Sequence, residues 1–279
     1  MTKQIKGSGS NPGAHNLFMR VRNRLSLLLV LLIWLGIWQA AYWWVGQDLL
    51  LASPWQVLQS LARQAVQVEF WKTALYSLLR IQAGFLLGLA TGSLLAVLTV
   101  RVAWLKRFFH PAISAIRSTP VASFIILALV WMSHNRVVIF IVFLMVMPIV
   151  WANVAEGIEK TDRQLLEMGY VFRLNRYDMV RFIYLPSIAP FFIAAATTSL
   201  GLGWKAGVAA EVLSRPPLSL GGRLYDAKIY LETADLLAYT AIIIMISLLL
   251  ERLLLITFRA AGRYFKVHGM SGRRAGSDL

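Results

Sequence analysis

Six long apolar runs, separated by short polar stretches, set the rhythm of this chain. They cover Ser26 to Val45, Leu78 to Val100, about Val121 to Met132 with preceding residues completing the length, Val137 to Val154, Ile188 to about Val212, and Leu236 to Phe258. A hydrocarbon core takes about 20 helical residues, so each run predicts a membrane-crossing helix. The third and fourth are short, and a tight turn at Ser133–Arg136 is expected between them. Between the first two runs, Ser53-Pro54 predicts the start of an amphipathic helix. Gly84, Gly88 and Gly92 repeat at every fourth position, a stripe that lets helix backbones pack closely. After the fifth run, Gly221-Gly222 predicts a turn, and Leu224, Ile229 and Leu231 a short helix beside it.

One stretch breaks the rhythm. Asp162 to Pro186, DRQLLEMGYVFRLNRYDMVRFIYLP, is amphiphilic and lies between two runs too apolar for a soluble protein. Leu165, Leu166, Met168, Gly169, Val171 and Phe172 form one apolar face at helical spacing. Asn175 punctuates the middle, and Tyr177, Val180, Phe182 and Ile183 restart the pattern. This predicts two short helices at an angle. By its residues alone, such a loop has a second reading as an interfacial helix resting on lipid headgroups.

Composition agrees with a membrane protein. The hydrophobic fraction is 58%, charged residues make up 15%, and mean hydropathy is +0.63. So few charges could not cover a water-soluble surface. The net charge of +15 would suggest nucleic acid in a soluble domain. Here the charges follow the spans: 1–25, 101–117, 155–187 and 259–279 hold 19 of the 28 lysines and arginines. With those segments inside, the chain obeys the positive-inside pattern, and nucleic acid is not implied. The expected division is a cytoplasmic tail over 1–25, a transmembrane domain over 26–258 and a cytoplasmic tail over 259–279. The basic start could open a signal peptide. The first run, with its four tryptophans, is too long for that and reads as a retained anchor helix.

Catalytic chemistry is missing. There is no cysteine, no GxxxxGK[ST] phosphate loop and no metal-binding spacing. The four histidines are scattered, and His134 reads as a solvated turn residue. Neither a metal nor a cofactor is expected, and the chain cannot hydrolyse ATP by itself.

Glu167, followed at fixed distance by Ile183-Tyr184-Leu185-Pro186, resembles the EAA loop of permease subunits of bacterial ATP-binding-cassette importers, closest to the nitrate/sulfonate/taurine group. That pattern is Glu-Ala-Ala, three residues, Gly, nine residues, Ile-x-Leu-Pro. The length matches, but Met168 and Gly169 replace the alanines and Arg173 replaces the Gly. A Gly there permits positive φ at little cost, so the turn is expected to move to Asn175, which tolerates the left-handed region. The resemblance implies an all-α membrane protein with six transmembrane helices, the type I (MetI-like) importer permease fold, and a cytoplasmic coupling helix within 155–187. It implies as partners two cassette ATPase subunits, a second permease copy and an extracytoplasmic solute-binding protein, at a bacterial inner membrane with both termini cytoplasmic. Glu167, Met168, Gly169, Val171, Phe172, Arg173, Leu174, Leu185 and Pro186 become the ATPase-coupling candidates. Val171, Phe172 and Leu174 would anchor in the ATPase cleft, Glu167 could equally pair with Arg163, and Pro186 would set the entry angle of the fifth span.

The fifth run is rich in small residues and carries a lysine and a glutamate. Ionisable residues within a span are functional or paired. Thr198, Lys205 and Glu211 are therefore candidates for the transport pathway, with Trp204 marking the membrane interface. Glu211 is also the one carboxylate that an ion-coupled secondary transporter or channel could use. A membrane-embedded enzyme is disfavoured for want of a catalytic constellation.

Overall fold

The computed structural model describes residues 12–271, and every regular element among them is helical. Five helices are long and apolar enough to cross a membrane, or six if one bent pair counts as a span. The expected N-terminal tail over 1–25 is helical from Pro12 onward: α1 runs Pro12–Val45. Residues 1–11, the first part of that tail, lie outside the described residues. From Leu28 to Leu35 α1 exposes its apolar side chains on all sides, as suits a helix surrounded by lipid. Its far end is tied down where Trp38 Nε1 donates to the Ala52 carbonyl at 3.0 Å.

α2, Pro54–Ala65, begins where Ser53-Pro54 predicts. Ser53 Oγ accepts from the Gln56 amide at 3.2 Å, and Gln56 Oε1 accepts from the Ser53 amide at 2.8 Å. This reciprocal cap satisfies two donors that the helix leaves open. α3, Val68–Arg101, starts ten residues before the apolar run does. Polar residues at its head, such as Glu69 and Lys72, lie beyond the hydropathy signal and still continue the helix.

The third expected span is two helices. α4 covers Ala103–Ser118 and α5 Val121–Trp131, bent by 107° at Thr119-Pro120. Pro120 forces the break: it lacks an N–H and drives Thr119 into the extended region. α6, His134–Glu159, follows a turn of two residues, so His134 already lies in the helix. The core sits between α3 and α6. A Cβ added to Gly84, Gly88 or Gly92 would lie within 2.5–2.7 Å of α6 atoms, including the Ile139 and Met147 carbonyls and the Val146 side chain. The small-residue stripe is therefore a packing surface, as its spacing predicts.

The amphiphilic stretch gives one separate helix, α7, Arg163–Val171. The second predicted helix is not free-standing. α8, Arg176–Met179, runs through a π-helical turn, Val180–Tyr184, directly into α9, Leu185–Ser214. Pro186 explains the π turn. Its ring crowds the carbonyl four residues back and it has no N–H to give. The Leu185 amide donates instead to Val180, five residues back, a widened ladder that absorbs the strain. Pro186 thus acts within a continuing helix and does not end a loop.

α10, Leu220–Ile229, is the short helix expected after the fifth run. Gly221 and Gly222 do not form a turn; both are buried in its first turn. A Cβ on Gly221 would meet Glu211 Cβ at 2.5 Å and the Val208 carbonyl at 2.7 Å, so glycine is needed for α10 to touch α9. α11, Thr233–Ser271, extends past the expected end at Phe258. The predicted tail over 259–279 is helical to Ser271, and residues 272–279 lie outside the described residues.

Candidate functional site

Two regions carry the predicted residues. The first is the end of α7. Asp162 caps its start by accepting from the Gln164 amide at 2.9 Å. At its other end the Arg173 amide donates to the Tyr170 carbonyl and the Leu174 amide to the Gly169 carbonyl, both at 3.0 Å. Arg173 has φ of 50°. These two bonds and the left-handed residue between them make a Schellman motif, which normally places Gly at that position. The turn therefore stays at Arg173 and does not move to Asn175. Asn175 has φ of −69° and caps α8, its Oδ1 accepting from the Asp178 amide at 2.8 Å.

This closure fixes what α7 shows to its surroundings. Gly169 is buried because a Cβ there would meet Met179 Sδ at 2.4 Å and Ile183 Cδ1 at 2.9 Å. Met179 and Ile183 thus seat α7 against the foot of α9. On the opposite side the motif lifts an apolar tip into the open: Tyr170, Val171 (80% exposed) and Phe172 (72%), with Met168 and Leu174 beside them. Glu167 is exposed, and among the described residues it forms no ion pair with Arg163. Leu185 and Pro186 are exposed as well, one π turn away.

The second region is α9. Thr198, Leu202, Lys205 and Ala209 are all exposed, and their spacing puts them on one face of the helix. Lys205 stands on that stripe with no ion-pair partner among the described residues. Trp204 does not mark an interface. It is 2% exposed and its Nε1 donates to the Ile243 carbonyl at 3.1 Å, joining α9 to α11.

Glu211, grouped with Lys205 on sequence grounds, points the other way and is wholly buried. One carboxylate oxygen accepts from Ser77 Oγ at 2.9 Å and from the Gly221 amide at 3.1 Å. The other lies 3.2 Å from Arg80 Nη2. Arg80 also donates to Asn135 Oδ1 at 2.7 Å, to the Pro217 carbonyl at 3.0 Å and to the Leu218 carbonyl. Ser77 Oγ accepts from the Leu220 amide at 2.8 Å. His134 joins the same corner through Nδ1 and the Ser214 carbonyl, so it is engaged and not merely solvated. Arg80 and Ser77 were not identifiable as partners of Glu211; the available signal was an arginine beside the start of an apolar run. Bound this way, Glu211 is a clamp between α3, α9 and α10, and it is not left free to couple an ion.

Residues 84–261 match the family described as binding-protein-dependent transport system inner membrane component. The nitrate import permease NrtB of Synechococcus elongatus is 29% identical over 73% of this chain and 76% of its own length. The taurine transport system permease TauC of Escherichia coli is 24% identical over 81% and 83%. The riboflavin transport system permease RibX of Chloroflexus aurantiacus is 27% identical over 82% and 89%. Among solved structures, a chain of the inward-facing MetNI methionine ABC transporter superposes with a TM-score of 0.55 at 18% identity. It covers 68% of this chain and 93% of that one, a likeness of fold.

Proposed function

Since the chain belongs to the family of binding-protein-dependent transport system inner membrane components, we propose that it forms the translocation pathway for a small anion. The chain itself is a multi-pass inner-membrane permease component of an ABC importer and is not catalytic. ATP hydrolysis belongs to a separate ATPase subunit, and substrate arrives on a binding protein.

The observation that carries the anionic reading is Lys205. It is the one cation on the exposed stripe of Thr198, Leu202 and Ala209 within a span. Facing lipid it would be costly; facing a water-filled path between two permease copies it attracts anions. The nitrate and taurine relatives support a small oxyanion, while the riboflavin relative marks how wide the family's range is. Thr198 shares the stripe, and Glu211 serves the pathway from behind by holding α9 in place.

Coupling falls to the α7 tip. Val171 and Phe172, with Leu174, enter a cleft of the ATPase subunit, where apolar anchors concentrate interface energy. Two identical copies with two ATPase subunits complete the transporter, and both termini lie in the cytoplasm on the same side as α7.

Co-purification with a cassette ATPase, followed by uptake of nitrate and of taurine by reconstituted vesicles, tests this reading. The expected result is ATP-dependent uptake of an anion that requires the binding protein. Single-cysteine labelling fixes the orientation: Asn175→Cys is expected to react only from the cytoplasmic side and Tyr230→Cys only from outside. Reaction of Asn175→Cys from outside overturns the orientation.

A further inference from the structure

Arg117 lies in the last turn of α4, and two contacts fix how deep it sits. Near the start of that helix Lys106 Nζ is 2.7 Å from Glu159 Oε1, at the final residue of α6. Near its end Arg117 Nη2 donates to the Pro148 carbonyl at 2.6 Å. At 1.5 Å per helical residue, Pro148 stands about 16 Å from Glu159 and about 21 Å from His134. The guanidinium therefore meets α6, a membrane-crossing helix of 26 residues, near the middle of its length, deeper than the cytoplasmic segment 101–117 to which the charge pattern assigns it.

The surroundings do not neutralise it. Arg117 is exposed and belongs to none of the ion pairs among the described residues. Its hydrogen bond goes to a backbone carbonyl. Ser118 beside it is exposed, and Thr119-Pro120 are extended where the span bends by 107°. Non-helical backbone at membrane depth persists only when buried in protein or facing a water-filled cavity. Ser118 and Pro120 stand exposed on this chain and Thr119 is half-buried, and a guanidinium with no carboxylate partner makes a lipid-facing position costly.

We propose that Arg117, with Ser118 and the break beside it, lines the transport pathway and is a second contact for an anionic substrate, deeper than Lys205. The two cations are at different levels. A Cβ on Gly203 would touch Val146 and Val142, and Lys205 is two residues nearer the end of α9 that His134 holds. Lys205 is thus nearer the outer end, and Arg117 nearer the centre. An anion released from the first finds a second positive group before leaving. A guanidinium also suits planar oxyanions, which it meets with two parallel N–H groups. The proposal rests on the permease reading above.

The absence of cysteine makes a clean probe possible. In the complete importer, held in nanodiscs, a Ser118→Cys variant is treated with membrane-impermeant methanethiosulfonates, one anionic (sulfonatoethyl) and one cationic (trimethylammonioethyl). Both are expected to react, the anionic one faster once each rate is divided by that reagent's rate with a free thiol in solution. Adding Arg117→Met lowers the anionic-to-cationic rate ratio by roughly tenfold, the effect of removing one nearby unit charge in a partly hydrated cavity. Arg117→Lys keeps most of the ratio. Arg117→Gln, which retains a donor for Pro148, gives the same drop if the Met variant fails to assemble. Failure of both reagents to modify the assembled complex, or a ratio indifferent to Arg117, overturns the proposal. The permease reading fails separately, by absence of a co-purifying ATPase.

Discussion

Arg80 Nη2 lies 3.2 Å from Glu211 Oε1, an ion pair between α3 and α9 whose carboxylate is wholly closed off from solvent. It also anchors α10 and the 215–219 loop through backbone groups. A buried pair of this kind adds little against an apolar alternative, but breaking one side strands the other charge. Glu211→Ala is therefore expected to cost about 3–5 kcal/mol, read as a loss of thermal stability in detergent. The swap of Arg80→Glu with Glu211→Arg should not rescue it, because an arginine at 211 cannot accept from the Gly221 amide. Full recovery by the swap would reduce the cluster to a simple charge pair.

Arg173 occupies a left-handed position that glycine fills without penalty. Arg173→Gly is expected to stabilise the end of α7 by about 1 kcal/mol. Hydrogen exchange of the Leu174 amide, bonded to Gly169 at 3.0 Å, should slow by about fivefold if it exchanges through local opening of that turn. Faster exchange would mean that the arginine side chain contributes something glycine lacks.

Phe172 is 72% exposed, so removing its ring should barely affect the folded chain. In the coupling role, Phe172→Ala lowers ATPase association by about 30-fold or more, the range of an interface anchor, and reduces transport in step. Membrane insertion stays normal. Unchanged association would show that the α7 tip is not the docking element.

Lys205→Met should raise the anion concentration needed for half-maximal uptake, or abolish uptake, while the complex still assembles. Lys205→Arg retains part of the activity because the charge survives in a different shape. If the Met variant transports normally, Lys205 is an outer-leaflet anchor and the substrate class is open again.

The elements were legible in different degrees, for physical reasons. Hydropathy marks the apolar centre of a helix and not its ends. Val68 to Ser77 of α3 and the part of α11 beyond Phe258 therefore escaped, although the spans themselves did not. The α3–α6 contact was readable because Gly84, Gly88 and Gly92 are near in sequence and repeat with the helix. The Glu211 cluster was not, since its partners come from three separate segments: Ser77 and Arg80 from α3, Asn135 from α6 and Gly221 from α10. Local rules also failed where tertiary contacts override them. Arg173 accepts a glycine's conformation to close the α7 turn, and Gly221 is used for close approach where a turn was expected.

The Arg80–Glu211 pair also orders the birth of this protein in time. Arg80 leaves the ribosome more than a hundred residues before Glu211, an interval of roughly ten seconds at ordinary synthesis rates. Over that interval its carboxylate partner does not exist, and Asn135, its first side-chain acceptor, emerges about midway. Of the groups that hold Arg80 in the finished fold, only Asn135 is made before α9, so the polar contacts at the head of α3 are complete only once α9 and the 215–219 loop exist. A ribosome stalled before Glu211 would hold the nascent chain with Arg80 still open to solvent.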